Sequence, residues 1–159
     1  MAKETIKIGM TAEQRKGAAA ILNGLLADEH VAYVKLRNFH WNVTGPEFHD
    51  LHEMFEEQYE QVAEMIDEIA ERVRSLGETP LGSMAEFLAT ARLKEAKGAH
   101  TADEMIAAMT ADHESIIRQM RQDLEEIKDK HNDAGNQDAI TGWMKQHEKM
   151  AWMLRSMLA

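Results

Sequence analysis

The 159 residues suffice for one domain with a substantial core, are too few for two ordinary ones, and contain no apolar run long enough to span a membrane. Absence of cysteine excludes disulfides and thiolate metal sites, so any bound metal must be held by His and carboxylates, a donor set suited to iron, zinc or manganese. With 28 acidic side chains against 18 basic, the formal charge of −10 opposes non-specific binding to phosphate backbones and favours attraction of cations.

From about Thr11 to Trp41, the apolar residues Ala18, Ile21, Leu22, Leu25, Val31, Val34 and Leu36 recur at mostly helical intervals, and Gln14 follows Thr11 at capping-box spacing. Thr44-Gly45-Pro46 ends this helix, and Pro46 is expected to open the next one, where a missing N–H costs nothing. The second helix is predicted from about Glu47 to Leu76, with a core stripe of Phe48, Leu51, Phe55, Val62, Ile66, Ile69 and Val73 and a stop at Gly77. Glu78 to His100 reads as a long connection around a short helix, Met84 to Ala91. A third long helix begins at Thr101, with Glu104 at capping-box spacing, and frays near Asn132. After Ala134-Gly135-Asn136, the fourth carries Ile140, Trp143, Met144, Ala151, Leu154 and Leu158 to the end of the chain. Residues 1–10 form a short tail and 11–159 a single domain. Four long helices with one long crossover predict an all-α, ferritin-like four-helix bundle with a short extra helix in the middle connection, rather than an up-down-up-down bundle.

The second helix also carries a chemical pattern. His52 and Glu56 are four residues apart, as are Asp67 and Glu71, so each pair shares a helix face. At about 1.5 Å per residue, His52 and Asp67 stand roughly 22 Å apart, too far to share an ion within one chain. His52 with Glu71, and Glu56 with Asp67, are centred on the same point, between Gln61 and Val62, so two helices packed antiparallel about a twofold axis would set each His/Glu half against an Asp/Glu half. A solvated acidic face is the competing reading, because Glu53, Glu57, Glu60, Glu64 and Glu68 crowd the same helix. Other chemistries lack their signatures: the chain has no Glu-x-x-His, no His-Glu-x-x-His, no Gly-rich phosphate loop and no G-x-S-x-G.

Asn38-Phe39-His40-Trp41-Asn42-Val43-Thr44-Gly45-Pro46, Leu51-His52-Glu53-Met54-Phe55-Glu56 and Asp67-Glu68-Ile69-Ala70-Glu71-Arg72 together resemble the Dps family of mini-ferritins, and the likeness covers essentially the whole chain. With no membrane span and no apolar signal core the chain is expected to be cytoplasmic, and the resemblance implies a homododecamer: a hollow shell that oxidises Fe(II), with hydrogen peroxide or dioxygen, and stores ferric mineral, protecting the cell from oxidative damage. It implies a ferroxidase centre between twofold-related subunits, with His40, His52 and Glu56 from one chain and Asp67 and Glu71 from the other. Glu56 stands where many members have Asp, and its longer arm bears on the geometry of the second iron position. Trp41 is implied beside the site, as an electron-transfer or shielding group or as a packing aromatic. Asp129, Asp133 and Asp138 flank the turn where family members build an acidic iron pore, Asp138 aligning best; ordinary turn chemistry is the competing role. The remaining histidines, among them His113 and His147, are assigned to structure or surface. Some members also compact DNA, which needs a mobile basic tail; residues 1–10 carry only Lys3 and Lys7 against Glu4, so DNA binding is the alternative and is not favoured.

Overall fold

Three helices start on a capping box. In the computed structural model, which describes residues 6–158, the Thr11 hydroxyl accepts from the Gln14 N–H at 3.2 Å while Gln14 reaches back to the Thr11 N–H at 2.9 Å, opening α1 (Ala12–Asn42). The same reciprocal pair joins Thr101 and Glu104 at the start of α4 (Ala102–Glu126), and Ser83 and Glu86 at the start of α3 (Met84–Thr90). The second helix, α2, spans Phe48–Ser75 and the last, α5, spans Ala134–Met157. Among the described residues every regular element is helical. Lys3 and Glu4 of the expected tail lie outside them.

Helix α1 packs along α2, α4 packs along α5, and α3 lies against α1 within the long crossover. The buried apolar side chains of the four long helices form one continuous cluster. Gly77 stops α2 as expected: at φ 83° its N–H donates to the Arg74 carbonyl, and the Glu78 N–H donates to that of Val73 at 3.2 Å, a Schellman closure.

Four details depart from the sequence-based expectation. Pro46 does not open α2; it sits inside a turn closed by the Phe48 N–H donating to the Gly45 carbonyl at 3.1 Å, a position its fixed φ suits, and Glu47 precedes the helix. The buried stripe of α2 runs Leu51, Phe55, Gln58, Val62, Met65, Ile69, Val73; Phe48 is 46 % exposed and Ile66 only partly covered. Ala134-Gly135-Asn136 is the first turn of α5 rather than a loop, because Asp133 caps it, accepting from the Asn136 N–H at 3.0 Å. Helix α4 does not fray but widens into a π-helical turn, Ile127–His131, ended by Asn132 in the left-handed conformation at φ 51°.

Candidate metal centre

The last turn of α1 and the second turn of α2 meet because the short connection from Val43 to Glu47 folds one helix back on the other. Buried Val43 and the Phe39–Phe55 contact, with ring centroids 5.9 Å apart, hold that corner. His40 and His52 are thereby stacked, with centroids 3.8 Å apart and ring planes 17° from parallel.

Their hydrogen bonds define what the rings can do. His40 donates from Nδ1 to the His52 carbonyl at 2.8 Å, and His52 donates from Nδ1 to the His40 carbonyl at 2.7 Å. A carbonyl oxygen only accepts, so each Nδ1 carries a hydrogen, and the neutral tautomer this selects has its lone pair on Nε2. Glu56, one turn beyond His52, completes a trio in which one ligand atom from each residue lies within 4.8 Å of the other two. Among the described residues it is the one group of three or more His, Asp or Glu side chains gathered this closely. His40 is buried and the other two half-buried, so the group is shielded yet reachable. Two imidazole nitrogens and a carboxylate oxygen with coordination positions left open suit a divalent first-row metal such as iron, zinc or manganese.

The surroundings are aromatic. Tyr59 donates its O–H to Glu56 Oε1 at 2.8 Å, and that hydrogen bond, with desolvation, raises the phenol above its usual 10 and keeps it a donor. Arg37 lies 4.6 Å above the Tyr59 ring and 5.1 Å from that of Trp41. Trp41 is 63 % exposed, and Phe48 stacks on His52 with centroids 5.1 Å apart, which accounts for its absence from the core. Helical spacing puts Tyr59 between the two halves of the ligand stripe but gives it no role, and nothing in the sequence marks Arg37, although each sits three residues from a site residue on its own helix.

Asp67 and Glu71 are not brought to the trio. Both are exposed, further along the outer face of α2, with exposed Ala63 between them and the trio. Glu71 lines an open hollow between α2 and α5, whose other walls include Glu68, Arg72, Asp138 and Trp143. The Trp143 indole N–H donates to Glu68 at 2.7 Å. Asp129 is exposed on the π-helical turn. Asp133 is buried with both oxygens engaged by Asn136, one by its N–H and the other by its side-chain amide at 2.5 Å.

A second polar cluster lies inside the bundle. Glu29, Gln58, His113 and His147 come one from each long helix, and both histidines are fully buried. His113 meets Gln58 at 3.1 Å and His147 at 2.8 Å; His147 meets Glu29 at 2.9 Å. Burial first, and the neighbouring His147 second, hold His113 well below 6.5, in its neutral form. No sequence spacing marks this cluster, because its members are far apart along the chain.

Comparison with known proteins agrees with this architecture. A model of the ferritin-like domain matches residues 19–159. The chain is 47% identical over 154 residues to a low temperature-induced protein of Nostoc sp., covering 96% of this chain and 86% of that one. It is 40% identical to DNA protection during starvation protein 2 of Bacillus anthracis, over 90% of this chain and 97% of the relative. Among solved structures, a Dps protein from Bacillus brevis superposes with a TM-score of 0.89 at 37% identity, covering 94% of this chain and all of that one. Dps from Vibrio cholerae O1, described as a member of a broad superfamily of ferritin-like diiron-carboxylate proteins, reaches 0.92 at 32% identity over 100% of this chain and 99% of its own.

Proposed function

Because the chain belongs to the ferritin-like family and, within it, to the Dps proteins, we propose that it oxidises Fe(II) at a centre shared by two subunits and stores the ferric product inside a hollow dodecamer. The observation that carries this reading is the exchange of Nδ1 hydrogen bonds between His40 and His52, which leaves two Nε2 lone pairs beside the Glu56 carboxylate. Iron is the substrate. The neutral imidazoles and Glu56 bind Fe(II); Asp67 and Glu71 of the partner subunit bring the carboxylates that a second iron, and the rising positive charge on oxidation, require. Two Fe(II) ions give up one electron each, and one hydrogen peroxide takes both electrons and two protons to become two waters. Paired transfer releases no hydroxyl radical, which makes the chemistry protective; dioxygen is the alternative oxidant. Glu68, Glu71 and Asp138 gather negative charge in the hollow between α2 and α5, which attracts the cation, and Asp138 is the residue we assign to an entry pore.

The test is stopped-flow oxidation of Fe(II) by peroxide in the purified assembly. The double variant His52→Ala with Asp67→Ala is expected to lose at least about a hundredfold in initial rate, removing ligands from both halves of the centre. A wild-type rate in that variant overturns the assignment.

A further inference from the structure

The trio contains one side chain whose reach is loose by construction. A glutamate has one more rotatable bond than an aspartate, so Glu56 needs something to hold its carboxylate where the two Nε2 lone pairs converge. The structure supplies a chain of contacts that ends on that carboxylate. Tyr59, three residues on and therefore on the same face of α2, donates its O–H to Glu56 Oε1 at 2.8 Å. The Tyr59 ring is itself confined on several sides. Arg37 lies over its face with Cζ 4.6 Å from the centroid, Tyr33 meets it edge-on at 6.0 Å, and the His40 ring stands at 81° to it with centroids 5.3 Å apart. Arg37 is held in turn by donating to the Tyr33 hydroxyl at 3.3 Å and by lying against Trp41. Every member of this clamp outside α2 belongs to the final turns of α1, the segment that carries His40.

We propose that Tyr59 is a positioning residue for Glu56, its phenol anchoring one carboxylate oxygen and Arg37 anchoring the phenol, so that the longer acidic arm is set for cation binding before the ion arrives. The proposal rests on the assignment of His40, His52 and Glu56 as a cation site and adds a cause for the geometry of its most mobile member. Tyr59 touches neither metal nor oxidant. Its effect is entropic and geometric: a carboxylate already confined loses less freedom on binding, and its free oxygen keeps one direction. An aspartate at the same position would withdraw the carboxylate by about 1.5 Å, beyond reach of the phenol, so the glutamate and the tyrosine function as a pair.

The test uses the assembled protein and Co(II) alone as a redox-silent probe, read by titration and by its visible absorption, followed by Fe(II) oxidation at varied Fe(II). Tyr59→Phe keeps the ring and its contacts and removes only the O–H. It is expected to weaken Co(II) binding about tenfold, alter the intensity of the Co(II) bands, and raise KM for Fe(II) while kcat stays within about twofold. In a Glu56→Asp background the same substitution is expected to change Co(II) affinity by less than about twofold, since the tie is already broken. Arg37→Leu, which leaves the phenol in place, is expected to weaken binding in the same direction by about threefold. The proposal is overturned if Tyr59→Phe binds Co(II) as the wild type does, or loses the same factor with Asp at position 56; the Arg37 link is overturned if Arg37→Leu binds as the wild type does. Failure of the underlying site reads differently: His40→Ala with His52→Ala would then leave Co(II) binding unchanged, whatever Tyr59 does.

Discussion

Two pairs of histidines in this chain are stacked or hydrogen-bonded to one another, and their surroundings give them opposite roles. His40 and His52 donate to each other's backbone carbonyls and keep their Nε2 atoms free at the edge of the molecule. His113 and His147 spend their nitrogens on each other, on Gln58 and on Glu29, with no exposed surface. That difference has a measurable consequence. Because burial and His147 hold His113 well below 6.5, it folds as the neutral ring, whereas the unfolded chain takes up a proton near 6.5. Its contribution is complete above that value and is lost progressively as pH falls from there toward the lower value His113 has in the folded protein. Stability against urea, measured at constant protein concentration, is expected to decline by up to about 1.4 kcal/mol per pH unit per chain below about pH 6.5 from this residue. His113→Gln is expected to be less stable at pH 8 but to show a flatter pH dependence; an unchanged slope would remove His113 as its cause.

At the scale of the elements, the acidic residues around the α4–α5 junction divide by what their oxygens already do. Asp133 caps α5, and it also satisfies the amide of Asn136, which is 1 % exposed. Arg72 of α2 donates to the other end of that amide, so one capping residue ties α5 to α2. Asp133→Ala is therefore expected to cost about 1–2 kcal/mol, read as a lower denaturation midpoint, by losing the cap and leaving a buried amide short of an acceptor. Asp138, exposed and facing the hollow shared with Glu71, has no comparable duty. Asp138→Ala is expected to leave the midpoint within about 0.5 kcal/mol and to slow iron uptake at low Fe(II), an effect that fades as Fe(II) is raised. Gly135 lies in the first turn of α5 beside Arg72: a Cβ there would stand 3.0 Å from the guanidinium, so a larger residue would need the end of that side chain to give by a few tenths of an ångström.

At the scale of the whole molecule, the outer face of α2 is where the proposed function needs a second chain. Asp67 and Glu71 are exposed, and exposed Ala63 lies between them and the His/Glu trio, leaving room for a close helix contact. A twofold arrangement makes a prediction that a single-chain site cannot meet. When His52→Ala and Asp67→Ala subunits are unfolded together and reassembled, half of the random pairs are mixed, and each mixed pair holds one centre with every ligand intact. Activity is expected to return to about a quarter of the wild-type rate, while each variant reassembled alone stays inactive. Absence of recovery in demonstrably mixed assemblies would place the ligands within one subunit.

Local chemistry made much of the architecture legible. Helix starts at Thr11 and Thr101 and the stop at Gly77 depend on residues within a few positions of one another, and the i, i+4 spacing of His52 with Glu56 and of Asp67 with Glu71 follows from helix pitch alone. Gln58 in the buried stripe and Phe48 outside it were not legible, since periodicity sorts positions by face while the partner across the core decides which face accepts a polar group. The sequence by itself determined an all-α chain, its helix boundaries to within a few residues, and a set of side chains that no single helix can bring to one ion. Only the tertiary structure decided that α1 delivers His40 onto His52 with both Nε2 atoms free, that Tyr59 donates to Glu56 while Arg37 lies over the Tyr59 ring, and that four helices each send a polar group into the core. Those outcomes depend on contacts between residues distant in sequence, and their geometry is set by how the helices pack rather than by how each one forms.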